Sequence, residues 1–419
     1  MTKRLAPTTE ENSWIAYDAA NSAFVLVMVT AILPIYFKEV VSAGVPSAVS
    51  TSNWAFANSL ASLMLAVLAP LLGTMADYRG YKKPFFLGFL GAGLLFTAAL
   101  VLPVPGQWQL CLALYVLARV GWSGANLFYD AFLVDITTHE RMDRISARGF
   151  GVGYIGSVIP FTIIIVLLLT AGIDNGLPAT MTKAGFIIVA GWWFCLSIPA
   201  AKNLVQKFYI EPSPSPCTDA VKRLADTFRN IRSHRGVFVF LAAYFFYIDG
   251  VGTIISMATA YGHDLGFGAG LLITVILFIQ IVAFPFTLLF GRLADRFGAR
   301  NMIMTGIGIY VIITMLSFAL PFIASYSVRH ALFWFIALLV ASSMGGIQAL
   351  SRSYFGKIIP PEKSAEFFGF YNVCGRFAAI AGPLLLGIVG RATGDTRWGV
   401  LAIVFLFIIG AWLLRKVDC

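Results

Sequence analysis

Three ionisable residues, Arg119, Asp249 and Arg376, lie near the middle of long apolar stretches of the sequence. A charge at the centre of a bilayer costs about 2.5–3.5 kcal/mol on insertion scales, so it persists where it is paired or faces a water-filled cavity. An arginine there can bind a carboxylate or another anionic group, and an aspartate can pair with an amine or take up a proton. These residues therefore predict a binding site with a titrating acid; the alternative is a static ion pair between Asp249 and an arginine.

Other polar residues lie on the same apolar stretches. Asp18, Asn21 and Ser22 have i, i+3, i+4 spacing, which places them on one helix face that would not meet lipid comfortably. Asp18 is only one turn from the start of its stretch, so water at the mouth of the span is the alternative setting for it. The predicted proton-coupling residues are Asp249, Asp18 and Arg119. The predicted substrate-binding residues are Arg119, Arg376, Asp249, Asn21, Gln280, Tyr247, Asn126 and Asn372. For Tyr247, helix packing is the alternative.

The composition indicates the kind of element that must carry these residues. Of 419 residues, 59% are hydrophobic and only 12% are charged, with a mean hydropathy of +0.83. Soluble domains carry roughly 25% charged residues, so the chain is expected to be an all-α membrane protein. Twelve apolar runs are long enough to cross a bilayer. They are approximately Trp14–Phe37, Asn53–Leu72, Pro84–Leu102, Gln107–Val134, Gly149–Leu169, Ala184–Ala200, Val237–Tyr261, Gly270–Leu289, Met302–Ile323, Ala331–Ser353, Phe367–Val389 and Trp398–Leu414.

The net charge of +10 follows the predicted membrane topology. Most Lys and Arg residues fall in one set of alternate loops, which also contains both termini and the central loop. The other set of loops holds only Lys38, Lys183, Arg329, Arg391 and Arg397. Because positive residues are retained in the cytoplasm, both termini are predicted to lie inside. Topology and contact with anionic lipid headgroups account for the surplus, and no nucleic-acid partner is expected.

An internal repeat divides the chain into two similar halves. The segment from Gly73 to Lys83 joins two apolar runs, and a near copy from Gly291 to Asn301 does the same 218 residues later. A repeat on this scale predicts two related six-helix bundles. The predicted domains are a cytoplasmic N-terminal segment at 1–13, a bundle at 14–201, a cytoplasmic linker at 202–236 and a second bundle at 237–419.

The repeated loops also predict a gate. Asp77 and Asp295 lie at span ends, where a carboxylate can accept hydrogen bonds from the N-terminus of a neighbouring helix. Arg79 and Arg296 could complete a charged latch that closes the cytoplasmic side. The alternative is that these charges set topology alone.

The paired loops resemble those of the major facilitator superfamily, whose pattern is Gly-x-x-x-Asp-(Arg)-x-Gly-x-(Arg/Lys)-(Arg/Lys). Gly73, Asp77, Gly80, Lys82 and Lys83 match this pattern, and Tyr78 stands where arginine is usual. The second copy departs from it at Asn301. The resemblance implies twelve spans in two pseudo-symmetric bundles, with spans 1, 4, 7, 10 and 11 contributing to a central cavity.

Within that superfamily, the segment Tyr17-Asp-Ala-Ala-Asn-Ser-Ala-Phe24 is similar to the opening of the vacuolar-effluxer-like permeases. Two further segments, Ile145–Phe150 and Glu366–Asn372, are similar to marks of the same branch. This branch implies amino-acid export in its eukaryotic members. Arg119 also resembles the span-4 arginine that some members use in proton coupling, although Ser123 stands where the pattern has glycine.

These observations predict a secondary active transporter that exports a small amino-acid-like or carboxylate-bearing solute, coupled to protons or another ion. Export of amphipathic drugs or lipids is one alternative, and a membrane receptor or scaffold is another. The cysteines and histidines show no metal-ligand spacing, and neither a catalytic triad nor a P-loop is present, so no enzyme activity, metal or cofactor is expected. We expect a monomer in a bacterial cytoplasmic (inner) membrane.

Overall fold

The protein is all-helical in a computed structural model that describes residues 6–172, 177–212, 216–229, 234–264, 267, 269–394 and 396–417. Parts of the predicted linker, at 213–215 and 230–233, lie outside these residues. The α-helices are α1 (Thr9–Phe24), α2 (Ile32–Tyr36), α3 (Ser47–Ala76), α4 (Lys82–Ala99), α5 (Trp108–Ile136), α6 (His139–Ala171), α7 (Ala179–Asn203), α8 (Pro216–Arg229), α9 (Arg235–Asp264), α10 (Ala269–Phe297), α11 (Ala299–Ala319), α12 (Tyr326–Ile358), α13 (Ser364–Thr393) and α14 (Thr396–Arg415).

Eleven helical stretches of the described chain are long and apolar enough to cross a membrane. The predicted span at Pro84–Leu102 corresponds to α4, which is not among the eleven. Its first turn holds Lys82 and Lys83, and these charges lower the mean hydropathy of an 18-residue helix. The prediction of an all-helical chain with many spans is confirmed, whereas the number twelve and the position of the termini remain predictions.

The first span is longer and less regular than its sequence indicates. Helix α1 begins at Thr9, five residues before Trp14, because Thr8 and Glu11 form a capping box. The Thr8 hydroxyl accepts the N–H of Glu11 at 3.1 Å, and the Glu11 carboxylate accepts the N–H of Thr8 at 2.8 Å. Two π-helical segments, Val25–Ala31 and Phe37–Val41, flank α2. Such widened turns are frequent at functional sites.

The chain forms two compact units. Unit 1 comprises Met1–Thr137, Val152–Leu224 and Pro361–Gly369, and unit 2 comprises Thr138–Gly151, Ala225–Pro360 and Phe370–Cys419. In unit 1, α4 and α3 pack against α5, and α1 packs against α7. In unit 2, α12 packs against α10 and α11, and α14 packs against α9. Each unit therefore includes a short stretch from the other half of the sequence.

Small residues allow the helices of unit 1 to approach closely. A Cβ placed on Gly121 of α5 would lie 2.4 Å from the backbone nitrogen of Gly93 on α4. A Cβ on Gly93 would lie 2.5 Å from the ring of Trp193 and 3.1 Å from the backbone of Trp122. Since apolar attraction between helices is weak in lipid, such close packing is a main source of their association.

We expect Gly93→Ala to lower the thermal unfolding midpoint by a few degrees, because overpacking of a tight interface costs about 1–3 kcal/mol. Gly91→Ala is the matched control on the same helix, since a Cβ there would meet nothing within 4 Å. Thermal unfolding of both purified variants checks the prediction. Equal midpoints for the two variants would contradict it.

Candidate functional site

Arg119 of α5 is held by neutral hydrogen-bond acceptors. Its Nη1 donates to Asn58 Oδ1 and to the Tyr115 hydroxyl at 2.7 Å, and that hydroxyl donates to Asn58 Oδ1 at 2.8 Å. Its Nε is buried and has no hydrogen-bond partner in the part of the chain that the structure describes. No carboxylate among the described residues of the molecule pairs with it. The guanidinium therefore keeps an uncompensated positive charge within an apolar helix.

Asn58, on α3, was not among the predicted site residues. Its amide nitrogen donates to the carbonyl of Trp54 at 2.8 Å, which turns its oxygen toward Arg119 and Tyr115. The Trp54 ring stacks on Tyr115 with centroids 4.4 Å apart. Trp54 and Asn58 stand four residues apart in an otherwise apolar run, and this spacing is the signal that could have identified them.

A second polar cluster of unit 1 joins α1 to α5. The indole nitrogen of Trp122 donates to the Asn21 carbonyl at 3.2 Å, and the amide of Asn126 donates to Asn21 Oδ1 at 3.4 Å. The oxygen of Asn126 is buried and accepts no hydrogen bond from the residues described here. The structure thus brings the predicted residues Asn21 and Asn126 together. Asp18, one turn before Asn21, is only 6% exposed, so it is buried in this structure.

Asp249 of α9 is fully buried in unit 2. Neither of its carboxylate oxygens has a hydrogen-bond partner of normal geometry, and none of the described residues forms an ion pair with it. The static Asp249–arginine pair is therefore not present. Thr253, one turn later, is also fully buried, and its hydroxyl is likewise without a partner. Burial without a partner is costly for a charged carboxylate.

The other predicted residues of unit 2 have varied settings. The hydroxyl of Tyr247 lies 2.6 Å from that of Ser351, and its ring packs edge-on against Tyr244. This is the setting of a packed core tyrosine. Gln280 of α10 is half-buried, and its side-chain oxygen has no partner within the described chain. Asn372 and Arg376 of α13 are half-buried, and neither bonds to Asp249.

At the end of α3, Asp77 binds the N-terminus of another helix. Its carboxylate is fully buried and accepts the backbone N–H groups of Ala365 at 2.8 Å and Glu366 at 3.0 Å, in the first turn of α13. The partial positive charge of a helix N-terminus favours an anion at this position. Gly73 makes the approach possible, since a Cβ there would lie 2.4 Å from the Ala365 carbonyl.

A buried charge cluster surrounds Asp77. The Lys82 ammonium lies 2.8 Å from both Asp135 Oδ2 and Ser364 Oγ. Glu366 is fully buried and lies 3.4 Å from Arg223 of α8, whose guanidinium is 3.9 Å from Asp77. Burial raises the pKa of Asp77 to about 7; Lys82 and the two backbone N–H groups lower it, and Glu366 raises it.

The segment after α7 ties this cluster to the loop between α3 and α4. Gln206 accepts the N–H of Gly80 at 3.0 Å, and Ile210 forms an isolated parallel bridge with Tyr78. Asp135 accepts the N–H groups of the segment at 2.8 and 3.0 Å. Arg79, a predicted latch residue, is instead 63% exposed and pairs with Glu211 at 3.5 Å. Hydrogen bonds therefore hold the first half of the predicted linker against the loop between α3 and α4.

The second copy of the loop motif, in unit 2, makes different contacts. Asp295 is partly exposed and forms an ion pair with Arg144 near the start of α6. Asp143 binds the Lys357 ammonium and the Ser353 hydroxyl, each at 2.6 Å. Arg296 lies over the ring of Phe297 and has no ion pair within the described chain. Sequence reasoning missed Asp143 and Arg144 because they lie outside the repeated motif.

The comparisons with known proteins agree with this architecture. The family model described as "Vacuole effluxer Atg22 like" matches residues 7–142 and 134–419. The chain belongs to this family. The Atg22-like relatives include the uncharacterized MFS-type transporter YxiO of Bacillus subtilis (strain 168), which is 45% identical over 98% of this chain and 95% of its own length. Autophagy-related protein 22 of Coccidioides immitis (strain RS) is 23% identical over 88% of this chain and 73% of its own.

A solved structure shows the fold to which this Atg22-like chain is similar. The human organic anion transporter MFSD10 superposes with a TM-score of 0.72 at 14% identity, covering 98% of this chain and 100% of that one. The Atg22-like chain is thus a multi-pass integral membrane protein with the major facilitator fold, as its loop motifs predicted. YxiO and MFSD10 are both described as transporters.

We expect the stability of this protein to fall as pH rises through about 7, because the folded state binds the Asp77 proton more tightly than the unfolded chain does. The contribution is fully present below the unfolded value of about 4 and is lost above about 7. Asp77→Asn removes the titration of this carboxyl. Between roughly pH 5.5 and pH 8, the thermal midpoint of the variant should therefore decline less than that of the wild type.

Arg79→Gln is the control, since it changes the charge of the same loop at an exposed position. Its midpoint should follow the wild-type dependence on pH. Parallel curves for the wild type and Asp77→Asn would contradict the assignment of this titration to Asp77.

Proposed function

We propose that this protein is a secondary active transporter that exports a small amino-acid-like or carboxylate-bearing solute by alternating access, coupled to protons. The observation that carries the proposal is the state of Arg119. Its charge lies within an apolar helix and has only Asn58 and Tyr115 as partners. Neutral partners orient a guanidinium and leave its charge for an incoming anion, and a planar carboxylate matches its donor geometry.

In this proposal Asp249 takes up the coupling proton. A carboxylate that is buried without a cation or a hydrogen-bond donor gains most by becoming neutral. Asp18 is the second candidate for coupling, on account of its burial in α1. Arg119 is the third proposed coupling residue, because its charge has only neutral partners.

The polar clusters support a substrate-binding role for further residues. Asn21 and Asn126 present a buried amide oxygen that a solute amine could use as an acceptor. Gln280 presents a second one, and Asn372 and Arg376 are proposed to contribute from α13. Tyr247 is the weakest member of the set, because its hydroxyl is already engaged by Ser351.

The buried cluster around Asp77 is proposed to act as a gate at the cytoplasmic side. Its hydrogen bonds to the first turn of α13 must break if α3 and α13 separate there during transport. Asp295 would contribute through Arg144, with Arg79 and Arg296 in secondary roles. Both termini would then face the cytoplasm, and the protein would reside in the bacterial cytoplasmic membrane.

The direction of transport is inferred from the family. The word "effluxer" in the family description is the basis for proposing that this chain moves solute out of the cell. Since the described chain shows no nucleotide-binding motif, the gradient of an ion is the proposed source of energy.

We expect Arg119→Gln to reduce binding of carboxylate-bearing solutes at least tenfold, since the variant removes the charge while retaining side-chain hydrogen bonding. A thermal-shift screen of amino acids, monocarboxylates and hydrophobic cations on the purified wild type would first select the ligand. Isothermal titration of that ligand into wild type, Arg119→Gln and Arg119→Lys would then measure the loss, with the lysine variant retaining part of the affinity.

If hydrophobic cations raise the thermal unfolding midpoint while amino acids and carboxylates leave it unchanged, export of amphipathic compounds would be favoured instead. An unchanged affinity in Arg119→Gln would remove this residue from the binding site.

We expect Asp249→Asn to abolish the pH dependence of transport in reconstituted vesicles while leaving the protein folded. The amide is close in size to the acid and cannot release a proton at any accessible pH. Uptake of the selected solute, measured with and without an imposed pH gradient, tests this expectation. A response to the gradient equal to that of the wild type would assign coupling to another group, with Asp18 the next candidate.

A further inference from the structure

We propose that Asp249, Thr253 and Gly382 form a proton-binding site inside unit 2, in which Thr253 is the hydrogen-bond partner of the protonated carboxyl and Gly382 is the residue that permits the site to close. The inference deepens the proposed function and rests on it for its role in transport.

The two polar side chains are directed to the same place. Asp249 and Thr253 are four residues apart on α9, which puts them on one helix face. A Cβ built on Gly382 of α13 would lie 1.9 Å from Thr253 Oγ1 and 3.0 Å from Asp249 Oδ1. Because both distances start from one point, the two oxygens are at most about 5 Å apart. A small movement of either side chain would join them by a hydrogen bond.

Several buried threonines of this chain are oriented differently from Thr253, whereas Thr97, like Thr253, has a buried hydroxyl without a partner among the described residues. A helical threonine commonly donates to the carbonyl four residues earlier. Thr287 and Thr314 do so at 2.6 and 2.8 Å, and Thr74 does so at 2.8 Å. Thr253 makes no such bond, and its hydroxyl is buried without a partner in the described chain. The hydroxyl is therefore available to the neighbouring carboxyl.

The helices packed on α9 offer little charge to stabilise an ionised Asp249. By sequence, no titratable side chain occurs at 398–414 of α14, 331–350 of α12 or 271–290 of α10. The remaining titratable groups on the apolar stretches of α9, α11 and α13 are Tyr244, Tyr247, Tyr261, Tyr310, Tyr371, Cys374 and Arg376. Arg376 is the single cation of this set, and it forms no ion pair with Asp249. These surroundings favour the neutral carboxyl over the carboxylate.

Protonation of Asp249 consumes one proton and needs no other reactant. A proton from water joins one carboxylate oxygen, and the resulting O–H donates to Thr253 Oγ1. A hard cation such as Ca²⁺ takes about 6–8 oxygen ligands, and these two side chains offer three. The geometry therefore points to a proton rather than a metal cation.

Gly382 acts as a positioning residue. Any side chain at this position would overlap the Thr253 hydroxyl and push α13 away from α9, which would admit water to the acid. Gly387 is a matched control five residues later on α13, because a Cβ there meets nothing within 4 Å.

The test is infrared difference spectroscopy of the purified full-length protein in lipid, titrated with acid in the absence of solute. We expect a protonated-carboxyl band that is absent in Asp249→Asn. In Thr253→Val, which preserves the volume of the side chain, the band should shift to higher frequency because the carboxyl loses its hydrogen-bond partner. The affinity of Asp249 for the proton should fall about tenfold. Gly382→Ala should speed hydrogen–deuterium exchange of the carboxyl at least tenfold, and Gly387→Ala should leave it unchanged.

Four outcomes would overturn the proposal. They are a spectrum without an Asp249 band at any pH, an unshifted band in Thr253→Val, equal exchange in the two glycine variants, and loss of the band on adding sodium at fixed pH. Thr253→Val keeps the test decisive if Gly382→Ala does not fold. Since the spectra need no solute, a confirmed band with pH-independent transport would refute the coupling role and leave the site in place.

Discussion

Compensation of buried charge is the constraint on which this structure depends. At the end of α3, compensation is extensive: Asp77 receives two backbone N–H groups, Lys82 pairs with Asp135, and Glu366 pairs with Arg223. In the interiors of α5 and α9 the arrangement is the reverse. Arg119 has neutral partners and Asp249 has none among the residues described. A chain that satisfies its charges so fully in one place carries a cost where it leaves them unsatisfied, and ligand binding is the process that can offset that cost.

The two copies of the loop motif show how similar sequences acquire different contacts. Helix α13 begins at Ser364, so the N–H groups of Ala365 and Glu366 have no partner within the helix and can bind Asp77. The equivalent residue of α6, Ala147, stands two turns inside a helix that begins at His139, where its N–H lies in the helical ladder. Asp295 therefore requires a side-chain partner, and Arg144 supplies it.

The same comparison shows what the sequence could predict. The length of the apolar runs alone predicted the helices. The repeat identified Asp77 and Asp295, because a motif that recurs at a fixed offset can be recognised in the sequence. Asn58 was missed because its spacing to Trp54 does not indicate its partner Arg119, which lies 61 residues away in sequence. The role of Gln206 was also invisible, since it depends on hydrogen bonds to a loop 126 residues away in sequence. Local patterns fix which residues are helical, whereas pairings between distant segments decide which polar groups meet.

Glycine connects these observations, because the close contacts of the charged regions occur where a side chain is missing. Gly73 lets the first turn of α13 reach Asp77, and Gly382 lets a later turn of the same helix cover Asp249. In the first case the approach supplies two N–H donors, which lower the pKa of the Asp77 carboxyl against the larger, raising effect of burial. In the second case α13 presents a turn whose N–H groups lie within its helical ladder, so the contact excludes water and leaves Asp249 without a hydrogen bond of normal geometry. One helix can thus stabilise one carboxylate and isolate another, and the difference follows from whether its first turn or its interior makes the contact.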